Sequence, residues 1–335
     1  MLENPPFVRD STKMNSDPFS DILQFDNARS VVSGGFTAGG AWAMRFPKPD
    51  KIKFFGVARG ACWLCLEGHG APVRVEAGDT FLLSAPRSFV LAGDLDAEPL
   101  EAERVFAGHA GAVVPLGGGD AFFLIGGHVR LDPANAGLLA DMLPPLIHVQ
   151  ASAPEAAVLQ WLMRQMVHEY AAQLPGASLA SAQLAQLMFV QVLRAHLEAA
   201  GSLAAGWLRA VGDARIAPAL RLMHGDPGHA WKLDALARAC AMSRTSFALH
   251  FKTVAGIAPL GYLAQWRMRL AQRALREQST PISVLSNGLG YTSESAFSHA
   301  FKRVTGLAPK HYRNVARRTD STESETAHPR TGLSG

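Results

Sequence analysis

The run Leu233-Asp-Ala-Leu-Ala-Arg-Ala-Cys-Ala-Met-Ser-Arg-Thr-Ser-Phe-Ala-Leu-His-Phe251 decides the reading of the chain. Leu233, Leu236, Ala237 and Cys240 stand at helical spacing and form one apolar stripe. Ser243 then supplies a hydroxyl that caps a second helix. On that helix Phe247, His250 and Phe251 share the inward face, while Arg244, Thr245, Ser246, Ala248 and Leu249 lie nearer the outward, N-terminal part. The plan returns at Ile282-Ser-Val-Leu-Ser-Asn-Gly-Leu-Gly-Tyr-Thr-Ser-Glu-Ser-Ala-Phe-Ser-His-Ala-Phe301. There Gly290 permits the sharp turn and Ser293 is the cap. Phe297 and Phe301 point inward, and Thr292, Glu294, Ser295, Ala296, Ser298 and His299 face out. In a helix-turn-helix the outward face of the second helix meets base edges in the major groove. Lys252, and in the second unit Lys302 and Arg303, follow where phosphates would be reached. Two such patterns in tandem predict a DNA-binding chain.

Between the units runs Pro259-Leu-Gly-Tyr-Leu-Ala-Gln-Trp-Arg-Met-Arg-Leu-Ala-Gln-Arg-Ala-Leu-Arg276. Pro259 suits the first turn of a helix. Tyr262, Trp266, Leu270 and Leu275 are its candidate core contacts, and its arginines are expected at phosphates. A rigid helix here would place two readers on successive major-groove faces, roughly 34 Å apart along the duplex.

These residues resemble the AraC/XylS-type transcriptional regulators. The resemblance is carried by Met242-Ser-Arg, Phe251-Lys, Gly256-Ile-Ala-Pro259 and Arg267-Met-Arg-Leu-Ala271. In the second unit it is carried by Gly290-Tyr-Thr-Ser-Glu-Ser-Ala-Phe-Ser298, Phe301-Lys-Arg and Gly306-Leu-Ala-Pro-Lys-His-Tyr-Arg313. It spans residues 212–316 and implies a seven-helix DNA-binding domain on an asymmetric site. Thr245, Ala248 and Leu249 are small or apolar where many relatives carry long polar readers, and Ala248 and Leu249 suit thymine methyl groups. His299 stands where arginine is common.

Charge is unevenly placed. Residues 1–204 hold 14 Lys and Arg against 20 Asp and Glu, whereas residues 205–335 hold 18 against 8. The basic excess therefore falls on the expected reader. No window approaches the apolar length of a membrane-spanning helix. The N-terminus has no basic stretch followed by an apolar one. Three cysteines, an odd count, argue against a disulfide framework. A reducing cytoplasm is the expected location.

Residues 1–20, rich in Pro, Ser, Asn and charge, are expected to be mobile, with Met14 as an alternative start. Over residues 21–131 the texture is short β-like runs broken by glycine, among them Ala41-Trp-Ala-Met-Arg-Phe46 and Ala61-Cys-Trp-Leu-Cys-Leu66. The stretch Val75-Glu-Ala-Gly-Asp-Thr-Phe-Leu-Leu-Ser-Ala-Pro86 resembles a cupin, the sensor arm of AraC-like regulators. Asp132-Pro133 opens a short helix. Longer helices are expected over 154–173, with Val158, Leu159, Leu162, Met163, Met166, Val167 and Tyr170 on one stripe, and over 178–199, with Leu184, Leu187, Met188, Val192 and Leu197. Residues 132–204 thus connect the arms, and their stripes serve either a dimer seam or the barrel of the same chain. Gly201 to Gly206 reads as a linker and 319–335 as a disordered tail. The fold class is α+β in two domains: an N-terminal cupin-like β-barrel with connecting helices, and a C-terminal all-α domain with two helix-turn-helix units.

Cupin enzymes hold a metal through a His-x-His pair, a carboxylate and a distant His, and this chain has no His-x-His. No metal, cofactor or catalytic residue is expected. No phosphate loop or nucleophile elbow is present. The barrel instead encloses an apolar effector cavity, with Trp42, Phe46, Trp63 and Phe81 as candidate lining. Cys62 and Cys65 raise a rival, a redox or electrophile sensor, though a spacing of three puts the thiols on opposite faces of a strand. A metal-dependent cupin enzyme fused to a reader is the remaining alternative. The reading is a transcriptional regulator, an activator, that answers a small molecule or chemical stress. Its expected partners are promoter double-stranded DNA, the effector, a second copy of the chain and RNA polymerase, with no membrane.

Overall fold

The computed structural model describes residues 17–109, 113–131, 139, 143–172, 174–199 and 205–315. The expectations for 1–16 (with the Met14 start), for the helix opened at Asp132-Pro133, for most of the linker (201–204) and for the 319–335 tail lie outside the described residues. The chain divides into two compact units: residues 23–203, and residues 204–335 together with the segment before Leu23.

The first unit carries eleven described strands: β1 Arg29–Gly39, β2 Ala43–Phe46, β3 Ile52–Arg59, β4 Ala61–Leu66, β5 Val73–Glu76, β6 Thr80–Leu83, β7 Phe89–Ala92, β8 Leu100–Glu101, β9 Val113–Gly117, β10 Phe122–Arg130 and β11 Leu146–Val149. They form a six-stranded sheet, β11-β6-β3-β10-β1-β9, and a five-stranded sheet, β5-β4-β7-β2-β8. Among the described residues only β1–β9 and β2–β8 pair in parallel. The expected barrel is thus two sheets over one core, with no described ladder joining them. The chain passes repeatedly between them, with a single residue, Gly60, making the crossing from β3 to β4. Strand β4 shows how sequence alternation becomes packing: Cys62, Leu64 and Leu66 are buried while Ala61, Trp63 and Cys65 are half-buried. The core gathers inward residues of both sheets, including Phe36, Met44, Val57, Leu64, Phe81 and Leu91. Asp79, buried in the turn before β6, accepts from the Glu76 and Ala151 amides at 3.0 and 2.7 Å and bonds the His148 ring at 2.8 Å. That carboxylate is committed to holding the turn.

Besides the short α2 (Ala102–Val105), two long helices, α3 (Ala156–Ala172) and α4 (Ala177–Ala199), belong to this unit. Met163 of α3 packs onto β3 at Gly56, where a Cβ would lie 2.7 Å from the Met163 sulfur. Gln186 of α4 accepts from the Ser30 amide at 2.8 Å. Leu159, Leu162, Met163 and Met166 are buried as the stripe predicts, but Val158 is 46% exposed. On α4 the buried face is Ala185, Met188, Phe189, Val192 and Leu193, and Leu187 is 42% exposed. The sheet thus takes a face rotated toward Phe189, a side chain the expected stripe omits.

The second unit is helical: α5 Trp207–Gly212, α6 Ala217–Gly225, α7 Leu233–Ala239, α8 Arg244–Ala255, α9 Pro259–Glu277, α10 Ile282–Gly288, α11 Glu294–Thr305 and a last stretch at 309–315. Its packing begins before residue 212, where the family resemblance starts: Trp207 stacks on Tyr262 at 4.1 Å and the Gly206 amide donates to the Val254 carbonyl at 2.9 Å. Helix α1 (Pro18–Phe25) starts inside the stretch expected to be mobile. The Asp17 carboxylate accepts from the Ser20 amide at 2.8 Å and proline follows the cap, the same start signal as at Asp132-Pro133. The His224 ring, also buried, bonds Asp21 at 3.0 Å and the Tyr262 hydroxyl at 2.9 Å, so both nitrogens are satisfied. Helix α9 runs through the unit, with Tyr262, Trp266 and Leu275 buried as expected and Leu270 half-buried.

The rotated face of α4 gives a direct contrast. Phe189→Ala should destabilise the first unit by about 3–5 kcal/mol, and Leu187→Ala by no more than about 0.5 kcal/mol, read as urea midpoints. Equal losses would place the buried face elsewhere.

Candidate nucleic-acid interface

Helices α7–α8 and α10–α11 are two copies of one device. The Ser243 hydroxyl accepts from the Ser246 amide at 3.1 Å, and the Ser293 hydroxyl from the Ala296 amide at 3.1 Å. Each thereby satisfies one of the amides a helix start leaves open. Phe247 and Phe251 are fully buried with ring centroids 5.6 Å apart, and Phe297 and Phe301 repeat this at 5.7 Å. The two helices close on Gly256 and Gly306, at φ of 75° and 77°, with amides donating to Lys252 and Lys302. His250 faces inward as expected and bonds Asp213 at 2.9 Å.

The expected outward residues divide by exposure. Arg244, Thr245, Ser246, Leu249 and Lys252 are exposed, Leu249 to 68%, and Ala248 is half-buried. In the second copy Thr292, Glu294, Ser295, Ala296, His299, Lys302 and Arg303 are exposed and Ser298 is half-buried. Arg244 lies 3.7 Å from Asp234, an exposed pair that holds it only weakly.

The linker arginines also make contacts within the protein. Arg269 stands over Trp207 at 5.5 Å, Arg273 pairs with Glu277 at 3.0 Å, and Arg276 donates to the Tyr312 hydroxyl at 2.7 Å. Arg267 does most. Its Nε donates to the Pro227 carbonyl at 2.6 Å and its Nη2 to the His229 carbonyl at 2.9 Å, while its guanidinium faces the Tyr291 ring at 5.9 Å. The loop before the first copy is thus tied to the turn inside the second. The backbones meet there as well: a Cβ on Gly290, whose φ is 76°, would lie 2.2 Å from the Gly228 carbonyl oxygen and 2.9 Å from Arg267 Nη2. Gly290 is required both for its left-handed backbone and for this approach. Sequence reasoning missed Arg267 as a lock because its partners are backbone atoms some 40 residues away.

A cupin family model matches residues 17–198 and a helix-turn-helix domain model matches residues 236–314. A protein of Streptomyces antibioticus, described as an AraC-like transcription regulator, is 42% identical over 89% of this chain and 98% of its own length. A relative of the same description from Streptomyces lividans is 40% identical over the same shares. The HTH-type transcriptional regulator AlkR of Acinetobacter baylyi is 28% identical over 82% of this chain and 91% of its own.

The chain belongs to the AraC-like transcription regulators. As a member of that family it is a DNA-binding regulator with an N-terminal cupin domain.

In the cupin domain of this regulator a cavity of about 500 Å³ opens between strands of both sheets. Of the four aromatics expected to line it, only Phe46 does. Trp42 is buried against Phe36 and Phe122, with centroids at 5.4 and 4.9 Å, and Phe81 is fully buried on Phe55 at 5.0 Å. Trp63 lies on the other face of β4, under Arg74 at 5.1 Å. The lining comes instead from Phe55, Phe89, Phe106 and Leu124, with Ser33, Lys48, Asp50, Lys53, Glu103 and His109 as polar groups. Burial pushes the Cys62 thiol up to about 12 and also raises Cys65 and Cys240, so none is a low-pKa thiolate. Among the described residues no group of three His, Cys, Asp or Glu stands together as a metal site.

Arg267→Ala should leave two carbonyls short of a donor and lower the stability of the reader by about 1–3 kcal/mol. Arg267→Lys should not restore it, because one ammonium cannot reproduce the forked, ring-facing contact. Chemical denaturation of both variants measures this, and full rescue by lysine would reduce the lock to a point charge.

Proposed function

We propose that this regulator binds promoter DNA by laying α8 and α11 in two successive major-groove faces. The observation that supports it is the repeat itself: two helices capped, anchored and closed alike, each presenting an exposed N-terminal face, with the units tied by Arg267. Arg244, Thr245, Ser246, Ala248 and Leu249 would read one site and Thr292, Glu294, Ser295, Ala296, Ser298 and His299 the other. Lys252, Lys302 and Arg303 would meet phosphates and supply most of the affinity and its salt dependence. Leu249, apolar and exposed, suits a thymine methyl.

The protein acts in this reading as a cytoplasmic activator that recruits RNA polymerase and catalyses no reaction. A small molecule in the cupin cavity alters DNA affinity only as far as it binds one state of the chain better than another. A second copy of the chain completes the regulator. Its dimer seam would use the face of α3 that leaves Val158 and Trp161 exposed, at 46% and 49%.

Titration of a selected operator fragment against salt tests the proposal. Lys302→Ala should flatten the slope of log affinity by about one unit. Arg244→Ala should weaken binding with an unchanged denaturation midpoint. Sedimentation of the complex should give two chains per site. Unchanged affinity and slope in both variants would remove these helices from the interface.

A further inference from the structure

Building on the reading of the cupin domain as a sensor, we propose that its cavity takes an apolar-bodied monoanion whose charge is held by Lys53. The walls are apolar and partly flat. Phe46 and Phe89 stack with centroids 4.6 Å apart and an interplanar angle of 4°, Phe55 stands edge-on to both, and Leu124 is buried beside them. The volume lies in the range of sites that enclose small organic ligands. Such walls recognise a body; they supply no charge.

Lys53 supplies it. It lies on β3, half-buried, and lines the cavity. No carboxylate stands within ion-pair distance of it among the described residues: Asp50, which also lines the cavity and acts on Lys53 from further off, pairs with Lys51 at 3.7 Å, and Glu103 of the lining is exposed. Its cross-strand neighbour is His128, which shares a hydrogen bond with the Ser33 hydroxyl at 2.9 Å. Burial, reinforced by Lys53, Lys51 and Arg130, brings His128 down to about 4, so it is neutral at physiological pH and offers no counter-charge. A half-buried ammonium with no acid in ion-pair contact carries a desolvation cost, and burial lowers the Lys53 pKa by more than the nearby Asp50 raises it. A ligand carboxylate or sulfonate offsets that cost; a neutral ligand leaves it in place and a cation adds to it.

The test is calorimetric titration of the full-length protein with 2-naphthoate and with the neutral 2-naphthylmethanol. The carboxylate should bind at least about tenfold more tightly, or about 1.4 kcal/mol. Lys53→Met should bring the two to equal affinity while still binding the alcohol, which shows that the cavity is intact, and Lys53→Arg should keep the preference. Equal affinities in the unaltered protein, absence of naphthoate binding, or a preference that survives Lys53→Met would each overturn the proposal. Operator affinity with and without naphthoate separates this from the sensor reading. Selective binding that leaves operator affinity unchanged retains the ligand class and overturns the sensor reading, whereas equal affinities overturn the ligand class alone.

Discussion

The guanidinium of Arg267 donates to the carbonyls of Pro227 and His229 on one side and faces the ring of Tyr291 on the other. The first pair of atoms belongs to the loop that leads into the first helix-turn-helix, and the ring belongs to the turn of the second. Gly228 and Gly290 let the two backbones meet where side chains would collide. A hinge between the copies would have to break hydrogen bonds to a half-buried cation, and its cost rises with that burial. The spacing of the two exposed helices is therefore a property of the packed unit and not of the linker helix alone. Duplex DNA has a fixed pitch, so a fixed separation restricts which pairs of motifs can be met together.

The cupin unit is built on the opposite logic. Its two sheets share a tightly packed core in which Trp42, Phe81 and Phe122 fill space, and beside that core the rings of Phe36, Phe46, Phe55 and Phe89 leave it open. A half-buried lysine at such an opening would be a stability defect in a purely structural domain. It is understandable where a ligand completes the site.

Much of the reader was legible in the chain because its signals are local. Ser243 and Ser293 cap within three residues, and the phenylalanine pairs recur four residues apart. Strand β4 was legible for the same reason, its alternation being complete in six residues. Strands β7, β9 and β11 were not singled out. They are four or five residues long, and β9 and β11 pair with β1 and β6, more than sixty residues away. The cavity lining was hardly legible, since Trp42, Phe46 and Phe81 are alike as apolar aromatics and only the sheet packing decides which of them meets open space. Residues 18–20 were misjudged by composition although an aspartate cap followed by proline stands at their start. Arg267 illustrates the remaining gap: a basic residue on a helix before DNA-reading elements suggests a phosphate contact until its carbonyl partners are located.

The central claim is that two reading helices act as one rigid unit, and operator spacing tests it most directly. Genomic fragments retained by the full-length protein define the two motifs, and about five base pairs, half a helical turn, are then inserted between them. The account predicts that affinity falls to the level of non-specific DNA and returns only in part when a full turn is inserted, because the second helix cannot follow its motif. Affinity that is indifferent to the insertion would contradict it, and would mean that the two units move independently or that one of them does not read DNA.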